Sequence, residues 1–293
     1  MSSRTVVLRR ASAADWVELT KPRITALVTF TALVGFVSGV GGTIALSALT
    51  AALVGTALVA AGAAVFNQVL ERDTDARMLR TRLRPLPAGR VRPADAAAFG
   101  SALTAAGLLL LLWRSGSLAA GVALTTWSIY LFLYTPLKRR SPLATLVGAV
   151  PGALPPVIGW AAARQSLEGG AFLLFAILFL WQVPHFLAIA WLYRDDYARA
   201  GLPMLPVLDR DGSFTGRQAA IHSLALLLVS LTPGAAGLGS PVYLAGAFVL
   251  GVVFTLFALR LATARDDAAA RSLFLASVLY LPALLSLLLA ARP

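Results

Sequence analysis

Long apolar runs recur along this chain at bilayer length, and no other feature narrows its fold as far. A helix needs roughly 20 mostly apolar residues to cross the hydrocarbon core of a membrane. Nine stretches meet that template: 24–44, 46–66, 96–113, 116–135, 143–163, 170–193, 219–238, 242–260 and 273–291. The third is short and the fifth is rich in Gly and Pro, so counts of eight or ten also satisfy the pattern. The residue-by-residue alternation of outer-membrane strands is absent. Backbone polar groups in lipid must be satisfied within their own segment. The runs therefore predict an all-α polytopic membrane bundle, a single domain over residues 1–293 with a short segment (1–20) before the first span.

Composition closes off the soluble alternatives. Apolar residues make up 58% of the chain and charged ones 13%, against about a quarter charged in ordinary soluble domains. With no cysteine, disulfides, thiolate metal sites and thiol nucleophiles are excluded. The net charge of +12 would elsewhere suggest nucleic acid, but its distribution has another cause. If the N-terminus faces the cytoplasm, 22 of the 25 Lys and Arg residues fall on that side, leaving Arg114, Arg164 and Arg292. That is the positive-inside bias, and it predicts a cytoplasmic N-terminus with no nucleic-acid partner. No short apolar h-region precedes the first span, so no cleavable signal peptide is expected. Arg4, Arg9 and Arg10 read as ordinary positive-inside charge.

The acids are more informative than the bases. The same topology places 12 of the 13 Asp and Glu residues on the cytoplasmic side, with Glu168 the exception. Past the second span, Asn67, Glu71 and Asp75 recur at every fourth residue. On a continuing helix these form one stripe that drifts about 40° per step. Three oxygen donors in a row suit a hard divalent cation, and Mg²⁺ in particular prefers a few carboxylates, retained waters and substrate phosphate oxygens. Asp73 points elsewhere and is expected to pair with a neighbouring arginine. Arg72, Arg77, Arg80, Arg82 and Arg84 surround the stripe, with Lys138, Arg139 and Arg140 in the next loop on that side. Guanidinium forks match phosphate oxygens in two-point fashion. Acids that hold a metal beside bases that hold phosphate suggest a diphosphate ester; the other reading is a solvated loop with surface ion pairs. Asp195 and Asp196, with Asp209 and Asp211 farther on, form a second acidic region after the sixth span.

Five stretches then carry a resemblance: Leu19–Ile24; Asn67 through Asp75, continuing past Met78 to Leu86; Tyr134–Arg140; Trp181-Gln-Val-Pro-His-Phe186; and Asp196-Tyr-Ala-Arg-Ala-Gly-Leu-Pro-Met-Leu-Pro206. On these the chain resembles the UbiA superfamily of intramembrane prenyltransferases and, within it, the heme O synthases. The resemblance implies Mg²⁺-dependent ionisation of farnesyl diphosphate, attack on its C1 by a vinyl group of heme B, and water addition to give heme O. It implies that Asn67, Glu71 and Asp75 form the first metal–diphosphate motif. Asp196, with Asp195, would stand in the second, completing the catalytic and metal-binding set. Lys21, Arg72, Arg80, Arg84, Lys138, Arg139 and Arg140 would face the diphosphate. The implied setting is the cell inner membrane, active site toward the cytoplasm, with heme–copper oxidase assembly or a heme A synthase as a contact downstream. Glu71 stands where the family usually has Asp, the second region lacks an Asp-x3-Asp spacing, and Ala144 replaces an expected asparagine.

Only two histidines occur. His185 follows Pro184 within the sixth span, where a buried imidazole can satisfy a carbonyl freed by the proline. With the resemblance, His185 and Trp181 become heme-facing candidates, the imidazole as iron ligand or porphyrin-orienting group. His222, Trp191 and Tyr193 are expected to have interfacial or packing roles. The Gly148–Pro156 run predicts a bend beside a cavity. Three alternatives remain at this point. A UbiA-type enzyme could prenylate another aromatic or chlorin acceptor. A secondary transporter would place its charged site near the bilayer midplane. A non-catalytic heme-binding factor would have no use for the acidic stripe.

Overall fold

The protein was analysed as a computed structural model that describes residues 11–235 and 239–291. Arg4, Arg9, Arg10 and Arg292, which entered the charge reading, lie outside the described residues. Ser12 opens α1 (Ala13–Leu19) through a capping box, its hydroxyl accepting the Asp15 amide while the Asp15 carboxylate accepts the Ser12 amide. Lys21 turns the chain in the left-handed region, at φ 48°. Pro22 then starts α2 (Pro22–Gly39), at a position where its missing N–H costs nothing. Next, α3 (Leu46–Asp75) runs 30 residues without a break, about 45 Å at 1.5 Å per residue. That is longer than a hydrocarbon core of roughly 30 Å, so the helix has turns to spare beyond the lipid. The continuation through Asp75 is what the four-residue stripe required.

The helix α4 (Pro93–Ser128) contains a reversal. Gly116 has φ 86° and ψ 163°, a conformation open to glycine and closed to side chains with a Cβ. The first arm packs antiparallel to α3, with Gly100 against Val65 and Phe66 and Gly107 against Val59 and Gly55. The second arm returns, bringing Trp127 to Phe66 and Thr135 to Asn67. Both ends of the hairpin therefore lie beside the C-terminal end of α3, here termed the site end. Beyond Ser128 the chain passes through a π-helical turn (Ile129–Tyr134) and α5 (Thr135–Leu137). Pro136 has no N–H to give the carbonyl one turn back, and its ring crowds that carbonyl, which accounts for the widened turn before it.

The remaining helices are α6 (Ala144–Ala153), α7 (Pro155–Arg164), α8 (Gly169–Leu192), α9 (Arg194–Arg199), α10 (Leu205–Leu208), α11 (Ser213–Ala235), α12 (Pro241–Ala264) and α13 (Asp267–Ala290). No strand occurs among the described residues. Eight helical stretches there are long and apolar enough to cross a membrane, against nine segments read from sequence. The difference is Pro93–Leu137, 45 residues in which the segments at 96–113 and 116–135 run together across Gly116. The fifth segment bends as expected: α6 gives way to α7 at Leu154, where Pro155 and Pro156 cannot donate backward.

Of four buried apolar clusters among the described residues, two lie wholly between the long helical stretches. One joins α8 to α11, α12 and α13 through Leu174, Ile177, Leu187, Leu226, Phe254, Leu261 and Leu284. The other joins α3, α4 and α7 through Val59, Leu111, Ala123 and Ile158. At α2 and α7 the backbones approach so closely that a Cβ on Gly159 would lie 1.9 Å from the Ala32 carbonyl oxygen, the small-residue packing that helices use in lipid. The 76–92 segment folds over the site end, burying Met78, Leu86 and Val91. Arg90 ties it to Asp15 at 2.7 Å.

Candidate active site

The stripe is built by the last turns of α3, where Asn67, Glu71 and Asp75 are all buried. Each meets one cation from a different part of the chain. The Lys21 ammonium donates to Asn67 Oδ1 at 2.9 Å. Lys138 Nζ lies 3.2 and 3.3 Å from the two Glu71 oxygens. Arg84 donates to Asp75 Oδ2 at 2.8 Å. Asn67 also donates to the Thr135 hydroxyl, at 3.3 Å. Three cations against two carboxylates leave the cluster with surplus positive charge, which favours an anionic ligand.

One oxygen is left over. Asp75 Oδ1 is buried and has no hydrogen-bond partner, and a buried carboxylate oxygen in that state is costly unless something arrives to use it. Together with the Glu71 carboxylate and the Asn67 amide it makes an all-oxygen donor set of the kind a hard divalent cation takes. Among the described residues no group of three or more His, Cys, Asp or Glu side chains could hold a metal alone. The set therefore fits a cation that completes its coordination with water and phosphate oxygens.

Beneath the stripe lies a cavity of about 380 Å³, within the range of small-molecule sites. Lys21, Thr25 and Tyr134 line its upper part; Val59, Ala123, Ile158 and Leu178 give it apolar walls. Trp181 and His185 form one side, their rings stacked 4.8 Å apart at 18°. Trp181 donates its indole N–H to the Ser277 carbonyl at 2.9 Å. His185 Nδ1 lies 2.6 Å from the Ser277 hydroxyl oxygen. Lys21 joins the two: it donates to Asn67 of the stripe and lines the apolar chamber.

A model of the UbiA prenyltransferase family matches residues 28–287. The chain belongs to the UbiA prenyltransferase family. It is 47% identical over 288 residues to the protoheme IX farnesyltransferase of Solibacter usitatus, covering 95% of this chain and 99% of that one. The protoheme IX farnesyltransferase of Koribacter versatilis is 43% identical over 288 residues, 95% and 93% of the two chains. Among solved structures, one described for digeranylgeranylglyceryl phosphate synthase matches with a TM-score of 0.80 at 15% identity, over 95% of this chain and 97% of that chain. A UbiA homolog from Archaeoglobus fulgidus, bound to GPP and Mg²⁺, matches with a TM-score of 0.65 at 16% identity, over 94% and 99%. At such identities the structural likeness is one of fold. The protein is a multi-pass membrane prenyltransferase.

Within this UbiA-family bundle, the residues expected at the site divide into two groups. Asn67, Glu71, Asp75, Lys21, Lys138, Arg84, Trp181 and His185 gather at the stripe or the cavity. The others take different partners or stand exposed. Arg72 is exposed and pairs with Asp73 at 3.1 Å, which is also the partnership expected of Asp73. Arg139 donates to the Leu70 carbonyl on the outer flank of α3, at 2.7 Å, and Arg140 is exposed. The Arg80 guanidinium lies over the Tyr193 ring, 4.8 Å from its centroid. Asp195 is exposed. Asp196 does not join the stripe: its oxygens accept the Leu79 and Arg80 amides at 3.1 and 3.2 Å, and Arg199 pairs with it. Burial opposes its charge, but these donors outweigh that and hold the carboxyl below the usual range. Asp196 thereby anchors the 76–92 segment.

Other residues reach the site without having been named as site candidates, although Gln68, Tyr134 and Gln182 lie within the stretches that carry the resemblance. Tyr130 and Tyr134, stacked with centroids 5.5 Å apart, reach the cavity from the π-helical turn. Gln68 donates to the Leu19 carbonyl at 2.7 Å and so holds the chain that presents Lys21. Gln182 enters the cavity wall, where Gly152 leaves room for it: a Cβ there would lie 1.9 Å from Gln182 Oε1. His222 bonds within its own helix, to the Gln218 carbonyl at 2.8 Å. Trp191 donates to Asp267 at 3.0 Å, the structural role expected of it.

Lys21 yields a pH prediction. Burial, reinforced by the Arg84 charge, pulls its ammonium down from 10.5 to about 8. A base with a lowered pKa loses its charge as pH rises through that value. The kcat/KM for a prenyl diphosphate is therefore expected to fall as pH rises through about 8, since this ratio reports free-enzyme ionisations. Lys21→Arg, which stays charged, should remove that limb from the pH–rate profile; an unchanged limb would assign it to another group.

Proposed function

We propose that the protein transfers the farnesyl group of farnesyl diphosphate to a vinyl group of heme B, with addition of water, giving heme O and diphosphate. The observation that carries this reading is the Asn67–Glu71–Asp75 stripe, with its three cations, seated against an apolar cavity. The relatives named as protoheme IX farnesyltransferases support the choice of donor and acceptor. Lys21, Lys138 and Arg84 would exchange contacts with the stripe for contacts with diphosphate oxygens, meeting charge as it develops on the leaving group. Mg²⁺, held by Asp75 with Glu71 and Asn67, would add Lewis-acid stabilisation of the departing diphosphate. The apolar walls would take the isoprenoid and keep water from the cationic carbon until the acceptor reacts. Trp181 and His185 would line the side of the cavity that takes the porphyrin.

The positive-inside bias supports a site end and an N-terminus on the cytoplasmic side, and the membrane would be the cell inner membrane. Heme O so made would pass to heme–copper oxidase assembly or a heme A synthase. The transporter alternative drops away: the chain belongs to an enzyme family, and its carboxylates, Glu168 apart, gather at one end of the bundle rather than midway. The test is incubation of the purified protein in lipid with heme B, farnesyl diphosphate and Mg²⁺, beside a chelated control. A heme heavier by one farnesyl and one water, absent with chelator, is expected. Heme B returned unchanged by folded, heme-bound protein would remove the acceptor assignment. Diphosphate release with a different aromatic acceptor would redirect it within the family.

A further inference from the structure

Two side chains that line the cavity each keep an acceptor atom with no donor among the described residues. Gln182 is buried, and its Nε2 donates to the Ala149 and Leu178 carbonyls at 3.1 and 3.2 Å. Two carbonyls cannot be faced by the amide oxygen, so the assignment is fixed and Oε1 is the atom left free. At His185 the hydroxyl of Ser277 donates to the Phe274 carbonyl at 2.5 Å, so its oxygen must accept from His185 Nδ1–H at 2.6 Å. That sets the tautomer and leaves Nε2 as an unprotonated acceptor. Both side chains line the same cavity, three residues apart on α8, and residues so spaced are neighbours on a helix face.

We infer that His185 Nε2 and Gln182 Oε1 hold the water molecule that completes the reaction, His185 as its base and Gln182 as a positioning residue. The inference rests on the heme-prenylation reading. Two acceptors take both hydrogens of a water and turn its lone pair outward, which is the orientation a nucleophile needs. In the reaction, the farnesyl C1–O bond breaks and diphosphate leaves with the electron pair. The terminal vinyl carbon then bonds to C1, leaving a cation at the vinyl carbon next to the ring. The water oxygen bonds to that carbon, and its proton passes to His185 Nε2. The sum is heme B, farnesyl diphosphate and water giving heme O, diphosphate and one proton. Without the held water, the cation would lose a proton from the adjacent carbon and yield an alkene lighter by one water.

The experiment is product analysis by mass spectrometry in H₂¹⁸O, using heme B, farnesyl diphosphate and Mg²⁺ with wild type, His185→Ala, His185→Gln and Gln182→Met. Wild type should give hydroxylated product carrying the label. His185→Ala should shift the ratio of hydroxylated to dehydrated farnesyl-heme by about a hundredfold toward the alkene. His185→Gln, whose amide reaches the Nε2 position, should recover part of the hydration, and Gln182→Met should lose part of it. A merely structural role would lower both products in proportion. A wild-type-like product ratio in variants that still prenylate heme overturns the proposal alone. Loss of an axial iron ligand from the heme absorption spectrum on His185→Ala would also overturn it. If wild type made no prenylated heme, the functional reading itself would fail and take this assignment with it.

Discussion

Asp75→Asn is expected to lower prenyl transfer by about a hundred- to a thousandfold while the bundle stays intact. The amide keeps the volume of the carboxylate and a single acceptor oxygen, so Arg84 retains a partner. What it removes is the negative charge at the one buried stripe oxygen with no partner of its own. A divalent cation recruited by charge would lose its anchor, and diphosphate departure would lose the stabilisation brought with it. The measurement is single-turnover diphosphate release across a range of Mg²⁺ concentrations, with thermal unfolding as the control for folding. Activity within tenfold of wild type at equal Mg²⁺ would remove the stripe from the chemistry.

Lys138→Met should be comparably severe, for two separable reasons. In the proposed reading Lys138 faces the diphosphate, and among the described residues it is also the only charge paired with buried Glu71. Removing one partner of a buried ion pair leaves an uncompensated charge, which costs about 3–5 kcal/mol. A single variant would therefore lose stability and catalysis together. The double variant Lys138→Met with Glu71→Gln removes both charges and should recover most of the thermal stability. Its turnover should stay depressed, because neither the phosphate-facing cation nor the carboxylate has been replaced. Recovery of turnover alongside stability would show that Lys138 acts on the fold alone.

The stripe was legible because its information is local. Asn67, Glu71 and Asp75 share a face through the geometry of one helix, and only the persistence of α3 to Asp75 had to be assumed. Lys138 and Lys21 were legible as charges close to a boundary, though not in their pairing with Glu71 and Asn67. The residues that do not join the stripe have a common character. Arg72, Arg139 and Asp196 carry the expected chemistry at the same end of the bundle, yet each takes another partner. Arg72 turns out to Asp73, Arg139 closes on the carbonyl of Leu70, and Asp196 supports the 76–92 segment. Side-chain type and span topology cannot distinguish a carboxylate that faces a substrate from one that anchors a loop above it.

Sequence by itself determined the solvent, the secondary structure and the end of the bundle at which charge collects. Each of those follows from terms that add along the chain: apolar transfer into lipid, backbone hydrogen bonding within a segment, and retention of Lys and Arg on one side. The tertiary structure decided the rest. It turned two spans into a hairpin at Gly116, matched each acceptor of the stripe with its own cation, and left Asp75 Oδ1 open. It also set Tyr130 and Gln182 in the cavity wall. Those outcomes depend on which surfaces meet, and contacts between residues distant in the chain are absent from any local pattern of hydrophobicity or charge.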